Sequence, residues 1–419
     1  MSLLDKASLV LTPNAYKEGK LYSIIPLDGS GDMTVIRNTT ATIVNSLGII
    51  ENVGLNVPRL DYTDGGCPSI LIEPQRTNLV TYSEDVTNGS WKKIGLNIIQ
   101  NSNISPYNIL NSDSVIENTQ SNLHRLLKSV VITGNYRYSL TFKLKKISSE
   151  RTIEVVVIAN NNYLTTAFSL DTGLITKEAD KLGTTFSQKT NITSQIDAFG
   201  FYTIGISFFI SSSSSFEFGI GLLTPLGSNY YQGDGVSGFC FFSAQLEQGS
   251  YATSYIPTIG SAVTRIKDQL SKAEISTLPK DYPFTMYAKG TFKENNSTLL
   301  SFSNTASNNS LFSIGIDNSG NIYAESKPNG TQSLMVGNTS ALGEYSIAAT
   351  FTYTEIKLYV DGVLVGTSLN NQAFNTFIKG VILGQYRIVD DNGIRANVKE
   401  AVMFNSALSN DECILLTTL

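Results

Sequence analysis

The chain has 419 residues, 41% of them hydrophobic and only 16% charged, which is too long for one ordinary core and apolar enough to fill several. A net charge of -5 without long like-charge runs leaves no basic footprint for a nucleic-acid backbone or an anionic membrane surface. No apolar run reaches the roughly 18 residues of a membrane-spanning helix, and Met1-Ser2-Leu3-Leu4-Asp5 lacks the basic and apolar regions of an export signal, so synthesis in the cytoplasm without membrane insertion is expected.

Helical periodicity is almost absent, whereas short runs rich in Val, Ile, Phe, Tyr and Thr recur between Gly, Asn, Asp and Ser clusters. This pattern predicts an all-β fold. The apolar strand Ile70-Leu71-Ile72 runs into Pro74, which ends it, so a first boundary is placed between residues 77 and 78. Runs at Tyr136 to Leu144, Thr152 to Ile158, Tyr202 to Phe209 and Glu217 to Leu223 have the spacing of a two-sheet sandwich, with the serine run Ser211 to Ser215 as a loop between strands. Ile266 to Leu278 reads as a connector with the one mildly helical stretch, which sets a second boundary between residues 266 and 267.

Farther on, Asp317-Asn318-Ser319-Gly320-Asn321 and Asp361-Gly362 sit between alternating apolar segments as hairpin turns should. Ser409-Asn410-Asp411-Glu412 matches a capping box and predicts a short closing helix. The expected layout is a small N-terminal β module (1–77) followed by two tandem β-sandwiches of jelly-roll type (78–266 and 267–419).

The residues that carry chemistry are few. Cys67, Cys240 and Cys413 are too sparse for a disulfide framework or a zinc site and read as buried or half-buried free thiols. The single histidine, His124, has no serine-elbow motif with it, and no Glu-x-Asp-x-x-Glu run supplies paired carboxylates, so no enzyme is expected. Gly233-Asp234-Gly235, after Tyr230-Tyr231, could present a carboxylate to sugar hydroxyls or calcium, or could simply be a tight loop. Adjacent aromatics in a strand point to opposite faces, so at most one of Tyr230 and Tyr231 can stack on a sugar. Tyr231 and Asp234 lead as glycan-binding residues. Trp91 offers an indole face of the same kind, and Asp390-Asp391-Asn392-Gly393 is a turn or a calcium loop.

Three sets of motifs carry a resemblance. Arg37 to Thr42, Gly48-Ile49-Ile50-Glu51, Pro58-Arg59-Leu60-Asp61-Tyr62 and Leu71 to Leu79 occur in an order and spacing that resemble a module of phage tail-fibre and other virion proteins. From Tyr82-Ser83-Glu84-Asp85 and Ser90-Trp91 through Gln245 to Gly249 and Thr253 to Thr258, the chain looks like phage jelly rolls related to carbohydrate-binding modules. Phe284 to Leu419 is similar to laminin-G or concanavalin-A-like lectin sandwiches, through Ile356 to Gly362, Ala401 to Phe404 and Ser409 to Leu416.

The resemblance implies a structural, adhesive virion protein of a tailed bacteriophage. It would dock on other virion proteins through its N-terminal module, form a homotrimer and reach toward host surface glycans. A decoration or adaptor protein is the alternative, and a polysaccharide depolymerase a distant third. Related modules hold a structural calcium near Glu84, Asp85 and Glu247, so Glu84, Glu247 and Asp234 are candidate calcium ligands, although the favoured role for Glu84, Asp85 and Glu247 is that of hydrogen-bonded carboxylates tying the strand ends together. The place of Trp91 in its motif favours a packed ring.

Overall fold

The computed structural model describes residues 2–148, 151–194, 196–212, 214–303, 311–339, 342–376, 378–385 and 396–418. Strands take up 56% of the chain and helix 3%, so the protein is all-β. It divides into two compact units. A terminal unit contains Met1–Ser46, Asn52–Gln75 and Ile266–Leu419, and an inserted unit contains Leu47–Glu51 and Arg76–Arg265.

The inserted unit is a sandwich of two six-stranded antiparallel sheets. One runs in the order Leu96–Ile104, Leu110–Glu117, Gly238–Gln248, Tyr136–Ser148, Phe201–Ile210, Phe186–Thr193. The other runs Ile175–Glu178, Asn162–Phe168, Thr152–Ala159, Ser214–Leu223, Arg125–Ile132, Trp91–Ile94. Strand alternation explains the core. Ile153, Val155 and Val157 point inward with Phe216, Phe218 and Ile220 against Leu140, Phe142 and Leu144, while Glu154, Val156 and Ile158 take the opposite face.

In the terminal unit, a sheet of Ser333–Thr339, Asn321–Lys327, Leu311–Ile316, Ser297–Ser303, Gly380–Leu383 and Gln269–Lys272 faces one of Ala396–Phe404, Phe284–Phe292, Glu344–Phe351, Glu355–Val360 and Val363–Leu369. The strands Met33–Ile36, Lys20–Ile25 and Ala7–Lys17 join these two sheets into one hydrogen-bonded path. Val10 pairs with Val402, and Val35 with Leu270. The expected separate N-terminal module is therefore corrected: its strands complete the C-terminal sandwich, whose core includes Leu9, Leu11, Leu21 and Met33. The sandwiches are not tandem either, because the first is inserted between two halves of the second. The mildly helical connector is also corrected. Gln269–Lys272 is a strand, since pairing on both sides with Met33–Ile36 and Gly380–Leu383 outweighs a weak local helical preference.

The turn chemistry matches the sequence reading. Asp361 and Gly362 have φ of 46° and 80°, and Val360 pairs with Val363 across them. The Asp317 carboxylate accepts from the Ser319 and Asn321 amides, both at 2.8 Å. The closing helix spans Asn410–Thr418, with Ser409 Oγ accepting from the Glu412 amide (3.3 Å) and Glu412 Oε2 from the Ser409 amide (2.9 Å). Cys240 and Cys413 are buried free thiols, whereas the burial expected of Cys67 is corrected: it stands exposed in the turn between Leu60–Asp61 and Ser69–Ile72.

One cluster fastens the terminal unit. Asp268 accepts from Arg37 Nη1 (2.9 Å), from Arg59 Nη2 and from the Glu73 amide (2.9 Å), while Arg59 Nη1 donates to Glu73 Oε2 (2.8 Å). All four side chains are at most 2% exposed. Burial works against the Arg59 charge, but Asp268 and Glu73 outweigh it and raise its pKa further. Removing one partner leaves buried charge uncompensated. Asp268→Ala is expected to lower stability by about 3–5 kcal/mol, read from urea denaturation monitored by tyrosine fluorescence, while the exposed Asp28→Ala should leave the denaturation midpoint in place.

Candidate functional site

The Gly233-Asp234-Gly235 loop closes on itself. Asp234 Oδ1 accepts from the Val236 (2.8 Å) and Ser237 (2.7 Å) amides, and Oδ2 from the Ser237 hydroxyl (2.5 Å). Burial raises the Asp234 carboxyl, yet these hydrogen bonds prevail and hold it well below the usual carboxylate range. A Cβ on Gly233 would lie 1.9 Å from the Asn118 carbonyl oxygen, so the loop's close approach requires glycine there.

Beneath the loop lies Glu117, which is fully buried. Its oxygens accept from Arg151 (2.7 and 3.1 Å), the Tyr231 hydroxyl (2.6 Å) and the Asp234 amide (2.8 Å). The Tyr231 ring packs 4.6 Å from His124 and carries the Arg151 guanidinium 4.8 Å from its centroid. Burial and the Glu117 hydrogen bond push the Tyr231 hydroxyl pKa up. Tyr231 and Asp234, the leading glycan-binding candidates, thus form a structural brace: ring, hydroxyl and carboxylate are all engaged internally. His124 contributes to it through ring nitrogens at 2.8 Å from the Gly95 oxygen and 3.3 Å from the Tyr231 oxygen.

Trp91 is 1% exposed and set edge-on to Phe218 and Phe241, with Lys128 Nζ 4.8 Å over its ring and its indole N–H donating to the Tyr82 oxygen (3.0 Å). It is a core residue, and the platform reading is corrected. Burial pushes the Lys128 ammonium down to about 8. Tyr230 is different, at 62% exposed.

The candidate calcium ligands are not brought together. Glu84 accepts from the Tyr107 hydroxyl (3.2 Å), and the buried Glu247 accepts from the Thr253 amide (2.9 Å) and hydroxyl. Burial raises both carboxyls. Asp234 belongs to the brace, and among the described residues no group of three or more His, Cys, Asp or Glu side chains could hold a metal ion. The four residues at 390–393 lie outside the described residues.

An open trough on the inserted unit has a different make-up. Its floor is the outward face of the strands Thr152–Ala159 and Asn162–Phe168, where Glu154 lies opposite Ala167, Val156 opposite Thr165 and Ile158 opposite Tyr163. On the adjoining strand, Gly221 and Gly219 pair with Glu154 and Val156, and the missing side chain at Gly221 leaves room for Arg125 and Glu154 to meet. The cavity is about 450 Å³, within the range of roughly 300–1,000 Å³ usual for small-ligand sites.

At one end Arg125 Nη2 donates to Glu154 Oε2 (2.7 Å), with a Cβ on Gly221 only 3.1 Å from that oxygen. Lys177, Ser228 and Asn229 form the rim, and Tyr163 is 40% exposed. The far wall is firm. The Thr165 amide donates to Asp180 Oδ1 (3.0 Å), and Lys189 Nζ donates to Asp180 and to the Thr165 oxygen (2.9 Å each). Tyr230 follows the rim directly, its carbonyl accepting from the Ser228 hydroxyl (3.1 Å).

The sequence reading missed this trough. A glutamate within Ile153 to Ile158 was the available signal, but its Arg125 partner and the glycine opposite it come from strand order.

The architecture is that of an all-β protein with two sandwiches and an open groove on the inserted one. Residues 267–413 match the model of the Concanavalin A-like lectin/glucanases superfamily, and the terminal unit carries a concanavalin-A-like domain. The CBM40 module of the Ruminococcus gnavus IT-sialidase, solved with α2,3-sialyllactose, is 18% identical over 33% of this chain and 84% of that one, with a TM-score of 0.29. The NanB sialidase of Streptococcus pneumoniae is 21% identical over 34% of this chain and 25% of that one (TM-score 0.30). The SAP-like pentraxin of Limulus polyphemus is 15% identical over 33% and 70% (TM-score 0.26). No curated protein matches the sequence.

Two outcomes test the brace. Tyr231→Phe removes a hydrogen bond to a buried carboxylate and should lower stability by about 1.5–3 kcal/mol in urea denaturation, with the fold retained. Because the folded-state pKa of Asp234 is depressed, its stabilisation is complete above its ordinary value of 3.8 and is lost as pH falls through the folded value. The difference in melting temperature between wild type and Asp234→Asn should therefore be full near about pH 6 and shrink below about pH 3.

Proposed function

We propose that this chain is a non-enzymatic adhesive protein of a tailed-bacteriophage particle, a fibre-type component that holds host surface glycans in the trough of its inserted unit. The composition of that trough carries the reading. A pyranose has an apolar C–H face bordered by hydroxyls, and the trough offers the half-open Tyr163 ring and an aliphatic floor beside Arg125, Glu154, Ser228 and Asn229. Hydrolysis would call for two carboxylates flanking the scissile bond. The residues lining the trough include one, Glu154, already paired with Arg125.

The virion assignment rests on the ordered motifs from Arg37 to Leu79 and their resemblance to phage fibre modules. Docking on other virion proteins, and assembly as a homotrimer, would use the exposed apolar side chains of the N-terminal segment, among them Ile24, Leu27 and Ile36. A single trough is a weak site, since one stacking ring adds about 0.5–1.5 kcal/mol beyond burial and each hydrogen bond about 1 kcal/mol net. Three copies on one fibre would raise avidity by about 10² to 10⁴.

Three measurements check the proposal. Light scattering at micromolar concentration should show a trimer. Antibody labelling of intact particles in the electron microscope should place the protein on a fibre. On a host-polysaccharide array, Tyr163→Ala should lose at least about tenfold in apparent affinity while Tyr231→Phe keeps it, as multivalent display amplifies the loss of one stacking contact per site. Equal binding by wild type and Tyr163→Ala would remove the trough from the reading, and release of reducing sugar by the wild type would overturn the non-enzymatic part.

A further inference from the structure

The terminal unit contains a second cavity, of about 680 Å³, lined by Lys272, Lys280 and Lys379 with one acid, Glu274. Ser30, Ser276 and Thr376 add hydroxyls, and Ile275, Leu278 and Ile378, each under 5% exposed, form an apolar floor. Three ammonium groups against one carboxylate make a local excess of positive charge in a chain whose net charge is -5. Among the described residues, none of the three lysines has a carboxylate within ion-pair distance. The three lysines therefore place a local positive potential around one hollow, where it would draw an anionic ligand.

The hollow is held open by its surroundings. Lys272 lies at the end of a strand paired to Gly380–Leu383, directly after Lys379, and the Ile275 amide donates to the Lys379 oxygen (3.0 Å). The loop between Lys272 and Lys280 is tied at Thr277, whose hydroxyl donates to the Ser8 oxygen (2.8 Å) and whose carbonyl accepts from the Asn405 side chain (2.8 Å). A wall fastened to the first long strand and to the residue after the last has little freedom to collapse, so a ligand meets a preorganised cavity.

We infer that this cavity is a binding site for an anionic saccharide unit. The ligand's carboxylate or phosphate would lie among Lys272, Lys280 and Lys379, its hydroxyls would meet Ser276 and Thr376, and its C–H face would rest on Ile275 and Ile378. The inference names a second site with a larger excess of positive charge than the trough, where Arg125 and Lys177 accompany Glu154, and it stands if the trough reading fails.

The full chain should be titrated calorimetrically with three probes: trigalacturonate, inorganic phosphate and the neutral maltotriose. Trigalacturonate should bind the wild type and weaken at least tenfold between about 0.01 M and about 1 M salt, as the Debye length falls from about 30 Å to about 3 Å. The triple variant Lys272→Gln, Lys280→Gln, Lys379→Gln should lose at least about tenfold in affinity with an unchanged melting temperature, because exposed and half-exposed side chains carry little of the fold. Tyr163→Ala should bind trigalacturonate as the wild type does, which separates this site from the trough. Maltotriose binding as tight as trigalacturonate, phosphate binding without trigalacturonate binding, or an unaffected triple variant would each overturn the inference.

Discussion

The fold depends on one buried ionic cluster. Arg37, Arg59, Glu73 and Asp268 come from segments as far as 231 residues apart, and none of the four charges reaches solvent. In that environment a lone guanidinium or carboxylate would be very costly, so each tolerates burial only in the presence of the others. Arg37 also donates to the Thr39 and Val57 oxygens (3.0 Å each) and to the Gly54 oxygen (2.5 Å), which fixes the meandering N-terminal segment. Glu73 and Asp268 stand just before and just after the inserted unit in the chain. The cluster therefore holds both crossing points side by side in the terminal unit, and Arg76–Asn78 pairs with Val263–Arg265 as the inserted unit begins and ends.

The same logic governs the inserted unit at smaller scale. Asn78 donates to the Ala244 and Ile256 oxygens and accepts from the Val80 and Leu246 amides, so one buried amide joins the first and last segments. Glu117 does likewise for Arg151, Tyr231 and Asp234. Residues that look chemical in a list of side chains become scaffolding when a buried carboxylate engages their polar atoms. The Tyr231 hydroxyl could donate to a ligand only by giving up its hydrogen bond to Glu117, which would leave a buried carboxylate short of a partner.

The two hollows differ in what they offer. The trough has an aromatic wall, the Arg125–Glu154 pair and one further lysine, Lys177, whereas the cavity near Lys272 gathers three lysines against one acid over an apolar floor. On the proposed readings, the first would select by shape and stacking, the second by charge. A chain carrying both could discriminate among surface polysaccharides by acidity as well as by sugar outline.

The sequence by itself determined the elements that depend on neighbours in the chain. Alternation predicted the strands, Asp361-Gly362 the hairpin with positive φ, and Ser409 with Glu412 the closing helix, because each is set within a few residues. The motifs around Arg37, Arg59 and Glu73 were visible as a pattern, though not as a buried cluster, since Asp268 lies almost two hundred residues beyond Glu73. Only the tertiary structure decided that the N-terminal strands complete the C-terminal sandwich, that Gln269–Lys272 is a strand, that Tyr231 and Asp234 serve a brace, and that Glu154 and Tyr163 line an open trough. Each of these depends on which strand lies beside which. Strand order is set by long-range pairing and by the burial of whole faces, and local composition carries little trace of either.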